Sequence, residues 1–431
     1  MGKSASDEWN TFCLYFFVNA RLIYMVEKTS SYQRLSVNLL FYYLSCVYPV
    51  WIYLVDGKGY SSIPLLTICI LLQLPFIRGV KLVFLLKFLK SSQSTILLLF
   101  LCFYCFVVIF INSNFGMFFQ RDEVITSFNY KSVLSWLVYS LSGAILYIHY
   151  YKISKVYWFL FLGICSAIFI IISADPGFYT LQYDYTGELK LSHLAISEKY
   201  ILISAFAIIP FFYEAKLKPS FLIHFSLFAA ALFVIGSRTM LYAYFLSGYG
   251  LYIYLCYENK KYKAIVFYTL MSIFFLGYIS IFSQQFVDYE GLGRMLVVFS
   301  DVGEDNSVVG RMYQYSVGIS NISENPFFGF YAGDVEHFGG GGNYIHGVLS
   351  YWRQFGVLPF IIIVFLSIFS LKVFITSGNL NERSGFFLFL SVIFVLTTFA
   401  SRAYTYPAIY LSIGAAIVES YKQALFRIAN K

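Results

Sequence analysis

The sequence predicts an all-α fold, a polytopic transmembrane helical bundle, and two properties of its composition lead to this prediction. Of the 431 residues, 59% are hydrophobic and only 12% are charged, whereas a soluble domain carries about 25% charged residues. Apolar runs long enough to cross the hydrocarbon core as helices recur along the chain. The net charge of +8 does not indicate nucleic-acid binding, because the cations are scattered singly between the apolar runs.

Twelve stretches reach the length of about 20 mostly apolar residues that a membrane-spanning helix needs. They cover approximately residues 37–55, 61–77, 94–111, 131–150, 156–173, 197–213, 219–236, 239–257, 264–283, 355–376, 385–401 and 404–419. The last two are short, and the segment SRAYTYP at their junction predicts a turn. An earlier apolar run, residues 12–25, is interrupted by Asn19 and Arg21, and either spans the membrane or lies along its surface.

The basic residues indicate how these spans are oriented. Cytoplasmic loops carry an excess of lysine and arginine. If the connection with Lys260, Lys261 and Lys263 is cytoplasmic, alternation of the spans places the other basic connections on the same side. The sequence therefore predicts a multi-pass protein with both termini in the cytoplasm.

Three longer loops fall on the outer side, at about 112–130, 174–196 and 284–354. The third has about 70 residues, more than a connection needs, and loops of that length are usually functional or disordered. We therefore expect a large functional loop on the outer side that carries short helices. It separates residues 1–283, with nine spans, from residues 355–431, with three spans and a cytoplasmic tail.

The basic residues after position 200 differ in type between the two predicted sides. Every lysine lies on the inner side, and the outer side carries only arginines: Arg238, Arg294, Arg311, Arg353 and Arg402. A guanidinium group binds pairs of phosphate oxygens, which makes these residues candidate ligands for the diphosphate of a lipid headgroup. For Arg238, Arg353 and Arg402, at the ends of spans, this interpretation is favoured. Arg294 and Arg311 could instead pair with the acidic residues of the outer loop.

The segment NYIHGVLSYWRQFG, residues 343–356, contains the candidate catalytic residue. His346, Ser350 and Arg353 have the spacing of one helix face, which predicts that a short helix directs His346 and Arg353 into the same cavity. Histidine is well suited to accept a proton near neutral pH, and a neighbouring arginine keeps the imidazole uncharged. His346 is therefore the candidate general base, although a lone histidine often has a purely structural role.

Four consecutive glycines, Gly339, Gly340, Gly341 and Gly342, precede this histidine. Such a segment has no preferred shape and costs conformational entropy when it is ordered. It could form a lid or hinge that opens for a bulky substrate, or a solvated connection with no catalytic task. The sequence contains no nucleotide-binding loop and no metal-binding motif, so neither a metal nor a cofactor is predicted.

Three segments together resemble the superfamily of O-antigen polymerases and O-antigen ligases: FVIGSRTMLYAYFL (233–246), GRMYQYSVGISNISENPFFGFYAGD (310–334) and NYIHGVLSYWRQFGVLPFI (343–361). Their order, their spacing and the large outer loop agree with that superfamily. Two details depart from its pattern. The histidine, often followed by asparagine, is followed here by Gly347, and an N-P-x-x-G-x-G sequence has Tyr331 in place of its last glycine.

The resemblance implies glycosyl transfer at the periplasmic face of the bacterial inner membrane, in lipopolysaccharide biosynthesis. The donor would be an oligosaccharide linked to undecaprenyl diphosphate, Arg238 and Arg311 would contact it, and His346 would be catalytic. A polymerase joins lipid-linked repeat units, whereas a ligase transfers the finished chain to lipid A-core. The abundance of Phe, Tyr and Ile resembles the divergent polymerases, so a polymerase is expected, with a chain-length regulator as a possible protein partner.

A flippase for lipid-linked oligosaccharides is the alternative from a different class. Twelve spans would suit it, but transporters place polar groups and broken helices at mid-membrane. Ionisable residues are sparse within the predicted spans, and transport does not explain the large outer loop.

Overall fold

The structure is a computed structural model. It describes residues 31–47, 62–77, 92–115, 123–153, 193–213, 225, 228–232, 237–258, 260–263, 266, 269–270, 306–331, 333, 345–377 and 381–429. Within these ranges every regular element is a helix. The α-helices are α1 (Ser31–Tyr42), α2 (Ser62–Ile77), α3 (Gln93–Phe115), α4 (Glu123–His149), α5 (His193–Tyr213), α6 (Arg238–Glu258), α7 (Asn306–Glu324), α8 (Leu349–Phe355), α9 (Val357–Ile375), α10 (Glu382–Ala400) and α11 (Ala408–Ala429).

Four stretches of the described chain are long and apolar enough to cross a membrane: Gln93–Phe115, Asn129–Lys152, Val357–Ile375 and Glu382–Ala400. They agree with four of the predicted spans, and in the described ranges they confirm an all-helical fold with helices apolar enough to cross a membrane. Helices α1, α2, α5, α6 and α11 also overlap predicted spans. The predicted span at 156–173 lies outside the described residues, as do most of 219–236 and 264–283, and the count of twelve remains a prediction.

Contacts at the helix ends show which ends lie together. The amide N–H of Tyr404, just before α11, donates to Ser350 Oγ on α8 at 2.9 Å, and Trp136 Nε1 on α4 donates to the Tyr404 carbonyl at 2.9 Å. Arg402, just after α10, pairs with Glu198 near the start of α5. The Tyr404 hydroxyl also reaches Asn129 near the start of α4, and α9 follows α8 directly, so the beginnings of α4, α5, α9 and α11 lie beside the end of α10. We call this end of the bundle the site end.

Helices α4 and α11 approach each other closely at the centre of the described bundle. A methyl group added to Gly143 would collide with the backbone carbonyl of Leu411, and one added to Gly414 would collide with that of Ser140. Small residues allow such close backbone contact between helices inside a membrane, where dispersion attraction rather than hydrophobic burial holds helices together. The pair forms the support on which the site end is built.

An aromatic cluster fills the core below the site end. Trp136 on α4 is buried and stacks on Tyr410 of α11, with ring centroids 5.1 Å apart. Tyr351 and Phe355 of α8 lie against the same indole ring, at 5.5 Å and 6.2 Å. Because these rings are large and stiff, they hold α8 in a defined position above α4 and α11.

Polar contacts also join the helices at the opposite end. The hydroxyl of Tyr147 on α4 bonds to Glu419 on α11, and the guanidinium of Arg383 lies 4.6 Å from the centre of the Tyr147 ring. The Tyr150 hydroxyl donates to Glu382 at 3.1 Å. Residues at the start of α10 thus pack against the end of α4 that lies away from the site, whereas the turn after α10 contacts the other end.

Candidate functional site

The turn between α10 and α11, residues 401–407, forms the floor of the candidate site. The amides of Ser401 and Arg402 both donate to the Thr397 carbonyl, at 2.8 Å and 2.7 Å, and end α10. The Tyr404 hydroxyl donates to Asn129 Oδ1 at 2.7 Å, which ties the turn to the beginning of α4. With the bonds to Ser350 and Trp136 and the Arg402–Glu198 pair described above, the turn has contacts to α4, α5 and α8 and a defined shape.

His346 lies on this floor, in the loop that precedes α8. Its Nδ1 atom is 3.1 Å from the Ser401 carbonyl oxygen, and its own carbonyl accepts a hydrogen bond from the Tyr315 hydroxyl at 3.1 Å. A carbonyl oxygen can only accept, so in the neutral imidazole Nδ1 carries the hydrogen. The Nε2 atom therefore keeps its lone pair and can accept a proton.

The surroundings of His346 lower its pKa below the ordinary value. Partial burial is the largest cause, because it disfavours the charged imidazolium. The bond to the Ser401 carbonyl acts in the opposite direction, and the positive charges of Arg311 and Arg402 lower the pKa further. A base with a lowered pKa remains uncharged at neutral pH, as a general base must be.

Gly347 determines the direction of the chain after the histidine. Its φ angle is +80°, a left-handed conformation, and a methyl group there would collide with the carbonyl of Phe399 at the end of α10. Glycine adopts this conformation freely, and asparagine is one of the few other residues that visit it. Asparagine could adopt this φ angle, but its Cβ atom would meet the same Phe399 carbonyl, so this backbone geometry requires glycine.

The histidine is not part of the predicted short helix, and this corrects the expectation from the sequence. Helix α8 begins at Leu349, after the left-handed Gly347, so the i, i+4, i+7 spacing of His346, Ser350 and Arg353 does not place them on one helix face. Ser350 accepts the bond from the Tyr404 amide instead.

Arg311 reaches the site from α7. It lies one helical turn before Tyr315, whose hydroxyl holds the His346 carbonyl, and its charge acts on the imidazole. Arg311 is half-buried. Of the predicted arginines whose side chains are described, Arg353 and Arg402 are buried, whereas Arg311 is partly exposed and also lowers the pKa of His346.

Arg353 is buried in the contact between α8 and α7. Its Nε atom donates to Asn321 Oδ1 at 2.9 Å. The adjacent Trp352 donates from Nε1 to the Pro326 carbonyl at 2.8 Å, and the amide of Phe330 donates to the Arg353 carbonyl. The segment NPFFGF, residues 325–330, therefore fastens the outer loop to α8, and Arg353 belongs to that junction.

Arg402 is buried beside the histidine loop and has a carboxylate partner. Its Nε atom is 3.3 Å from Glu198 Oε1, and Nη2 donates to Ser197 Oγ at 3.2 Å. The guanidinium also lies 5.0 Å from the centre of the Tyr406 ring. Glu198 was not identified as a candidate from the sequence. The one feature that could have indicated it is its position as a lone carboxylate at the start of a predicted span.

The remaining predicted site residues lie outside what the structure describes. Arg238 begins α6, but the position of its side chain is not described, and Gly339, Gly340, Gly341 and Gly342 fall in an undescribed stretch. In the part of the chain that is described, no cluster of three or more His, Cys, Asp or Glu side chains could hold a metal ion.

Residues 223–364 match a family model described as O-antigen ligase. The match contains α7, α8, His346, Arg238, Arg311 and Arg353, whereas Glu198 and Arg402 lie on either side of it. No match was found among curated proteins. The family match confirms the resemblance to the O-antigen ligase and polymerase superfamily, and it supports a glycosyltransferase-like membrane enzyme in surface-polysaccharide synthesis.

Proposed function

We propose that this protein is an O-antigen or surface-polysaccharide polymerase, which joins repeat units carried on undecaprenyl diphosphate at the periplasmic face of the inner membrane. The observation that carries the proposal is the state of His346. Its Nδ1 hydrogen is directed to the Ser401 carbonyl, its pKa is lowered, and it lies within the segment that matches the family. These features support a general base.

In the proposed reaction Nε2 of His346 removes the proton from a hydroxyl group of the acceptor sugar. The hydroxyl oxygen attacks the anomeric carbon of the donor sugar and forms the new glycosidic bond. The bond between that carbon and the diphosphate oxygen breaks, and undecaprenyl diphosphate leaves with the electron pair. The proton on His346 then passes to the departing diphosphate or to water, which restores the base without a metal or a cofactor.

Positive charges would stabilise the leaving diphosphate. We assign direct contact with the phosphate oxygens to Arg311 and Arg238, because Arg311 is partly exposed and Arg238 matches a substrate-binding arginine of the superfamily. Arg353 is buried and hydrogen-bonded to Asn321, and Arg402 is buried and paired with Glu198, so they would contribute charge without touching the phosphate oxygens. Arginines aimed at a developing negative charge lower the transition-state energy without rearranging during the reaction. The assignment of Gly339–Gly342 as a lid or hinge rests on the sequence.

The choice of polymerase over ligase rests on composition and requires a direct assay. Purified full-length protein is incubated with a lipid-linked repeat unit, with and without lipid A-core, and without an energy source. Longer lipid-linked chains are the expected product. Transfer to lipid A-core would identify a ligase instead. If neither product forms, the flippase remains, and transport of the lipid-linked oligosaccharide across vesicle membranes would identify it.

A further inference from the structure

Glu198 is a buried carboxylate to which the proposed reaction assigns no role. It lies near the start of α5, and its Oε1 atom is 3.3 Å from Nε of Arg402, which is also buried. Removing two charged groups from water is costly, and such pairs are rare inside membrane proteins unless they serve a function. The pair joins α5 to the turn between α10 and α11, over about 200 residues of sequence.

A continuous set of bonds leads from this pair to the imidazole. Glu198 and Ser197 hold the Arg402 guanidinium from the α5 side, and the Tyr406 ring lies against it. Arg402 directly follows Ser401, and the carbonyl of Ser401 accepts the bond from Nδ1 of His346. Movement of Arg402 would therefore shift the carbonyl that fixes the direction of the histidine ring.

We propose that Glu198 is a positioning residue of this site: its carboxylate fixes Arg402, and through the 401–402 backbone it keeps His346 oriented for proton transfer. This inference rests on the proposed function, in which His346 is the base. Glu198 also offsets the charge of Arg402, so that the neighbouring imidazole experiences only part of it.

The charged groups around His346 determine the direction in which each variant should shift the pKa of that histidine. Among the described residues, Arg311 and Tyr315 face the histidine from α7, and Arg402 acts on it from the turn, with Glu198 behind. The glutamine variant E198Q leaves the charge of Arg402 uncompensated and loosens the Ser401 contact, and both effects lower the pKa of His346. R402Q removes a positive charge and raises that pKa. A general destabilisation would not move the two variants in opposite directions.

The first measurement needs no substrate. Full-length protein in lipid nanodiscs is treated with diethyl pyrocarbonate, which modifies the uncharged imidazole, and modification of His346 is followed by peptide mass spectrometry between pH 4.5 and 8. We expect the midpoint to fall by about half a pH unit or more in E198Q and to rise in R402Q. The exposed Glu324→Gln variant serves as the matched control and should keep the wild-type midpoint. An unchanged midpoint in E198Q would overturn the proposal.

The double variant E198Q/R402Q covers the case in which a single variant fails to fold. It keeps the volume of the side chain at position 198, shortens the side chain at position 402, and leaves neither charge alone in the interior. Because Glu198 acts through Arg402, the midpoint of the double variant should lie at or slightly below that of R402Q. A midpoint that coincides with that of E198Q would show that Glu198 acts on the histidine without Arg402, and it would overturn the proposal.

The second measurement is the rate of chain growth in the polymerase assay. We expect E198Q to lower kcat about tenfold or more with little change in KM, because the glutamate orients the base and does not touch the substrate. The conservative variant E198D, which keeps the charge, should recover part of kcat. If H346A were fully active, the proposed base would be wrong, while the labelling midpoints would still test the link between Glu198 and His346.

Discussion

At the scale of single residues, the candidate site depends on groups that are held by their neighbours. The Ser401 carbonyl selects the Nδ1–H form of His346, and the Tyr315 hydroxyl holds the backbone of the same residue. Arg311 supplies a charge that favours the uncharged imidazole. Each of these contacts has a consequence that can be measured separately.

Replacing His346 by alanine should remove the base without changing the fold, because the side chain is only partly buried. We expect the rate of chain growth to fall by about 10²–10⁴-fold, the usual contribution of general base catalysis. The measurement is single-turnover elongation of a radiolabelled lipid-linked repeat unit. Normal polysaccharide chain length in cells carrying H346A would rule out His346 as the base.

The acid limb of the pH–rate profile should depend on Arg311. Because the charge of Arg311 lowers the pKa of His346, its removal in R311Q raises that pKa. The base then becomes protonated at a higher pH, and activity is lost earlier as the pH falls. Profiles of kcat/KM from pH 4.5 to 8 should show the acid limb shifted to higher pH in R311Q. In R311K, which keeps the charge, the limb should lie close to its wild-type position. A displacement in the acidic direction would contradict this electrostatic account.

The backbone of Gly347 provides a further test at this scale. Alanine there would be strained at φ +80° and would collide with the Phe399 carbonyl, so the loop that carries His346 must shift. We expect G347A to lose at least about tenfold in kcat, since small displacements of a catalytic group are costly. The control is G310A on α7, where an added methyl group meets no atom within 4 Å. Equal activity of the two variants would contradict a requirement for glycine at this position.

At the scale of helices, α4 and α11 provide the platform for the site. Their backbones come close at Gly143 and Gly414, and the aromatic residues just above this contact support α8. The turn after α10 is attached to α4, α5 and α8 by separate hydrogen bonds and an ion pair. A change in the spacing of α4 and α11 should therefore alter the position of His346, even though neither glycine touches that residue.

Enlarging either glycine should destabilise the bundle. In G143A or G414A the added methyl group would meet a carbonyl oxygen of the facing helix, and overpacking of this kind costs roughly 1–3 kcal/mol. The variants should show a lower midpoint of thermal unfolding in detergent, followed by tryptophan fluorescence. G250A on α6 is the matched control, because nothing lies within 4 Å of its added methyl group. Identical midpoints for all three variants would refute the close contact.

At the scale of the whole molecule, the helix ends that meet at the site end have the alternation predicted from the basic loops. Helices α4, α5, α9 and α11 begin there and α10 ends there, as expected if the site faces the periplasm. The lysine-rich connection after α6 would then lie on the cytoplasmic side. We therefore predict that the site end faces the periplasm.

Single cysteines placed in a cysteine-free variant should reveal this sidedness. The exposed residues Glu324, at the end of α7, and Lys261, after α6, are predicted to lie on opposite sides. In spheroplasts a membrane-impermeant maleimide should label E324C directly, and K261C only after permeabilisation. The reverse pattern would place the site in the cytoplasm and would exclude the proposed periplasmic reaction.

The sequence by itself determined the membrane class, most of the described helices, the turn at residues 401–407 and the identity of His346 and Arg311 as candidates. These features depend on local hydropathy and on motifs of neighbouring residues, which a sequence displays directly. Only the tertiary structure decided that His346 precedes α8, that its partner is the Ser401 carbonyl, and that Arg402 pairs with Glu198. Those contacts join residues far apart in the chain, and they arise only when α5, α8 and α10 pack around the α4–α11 pair.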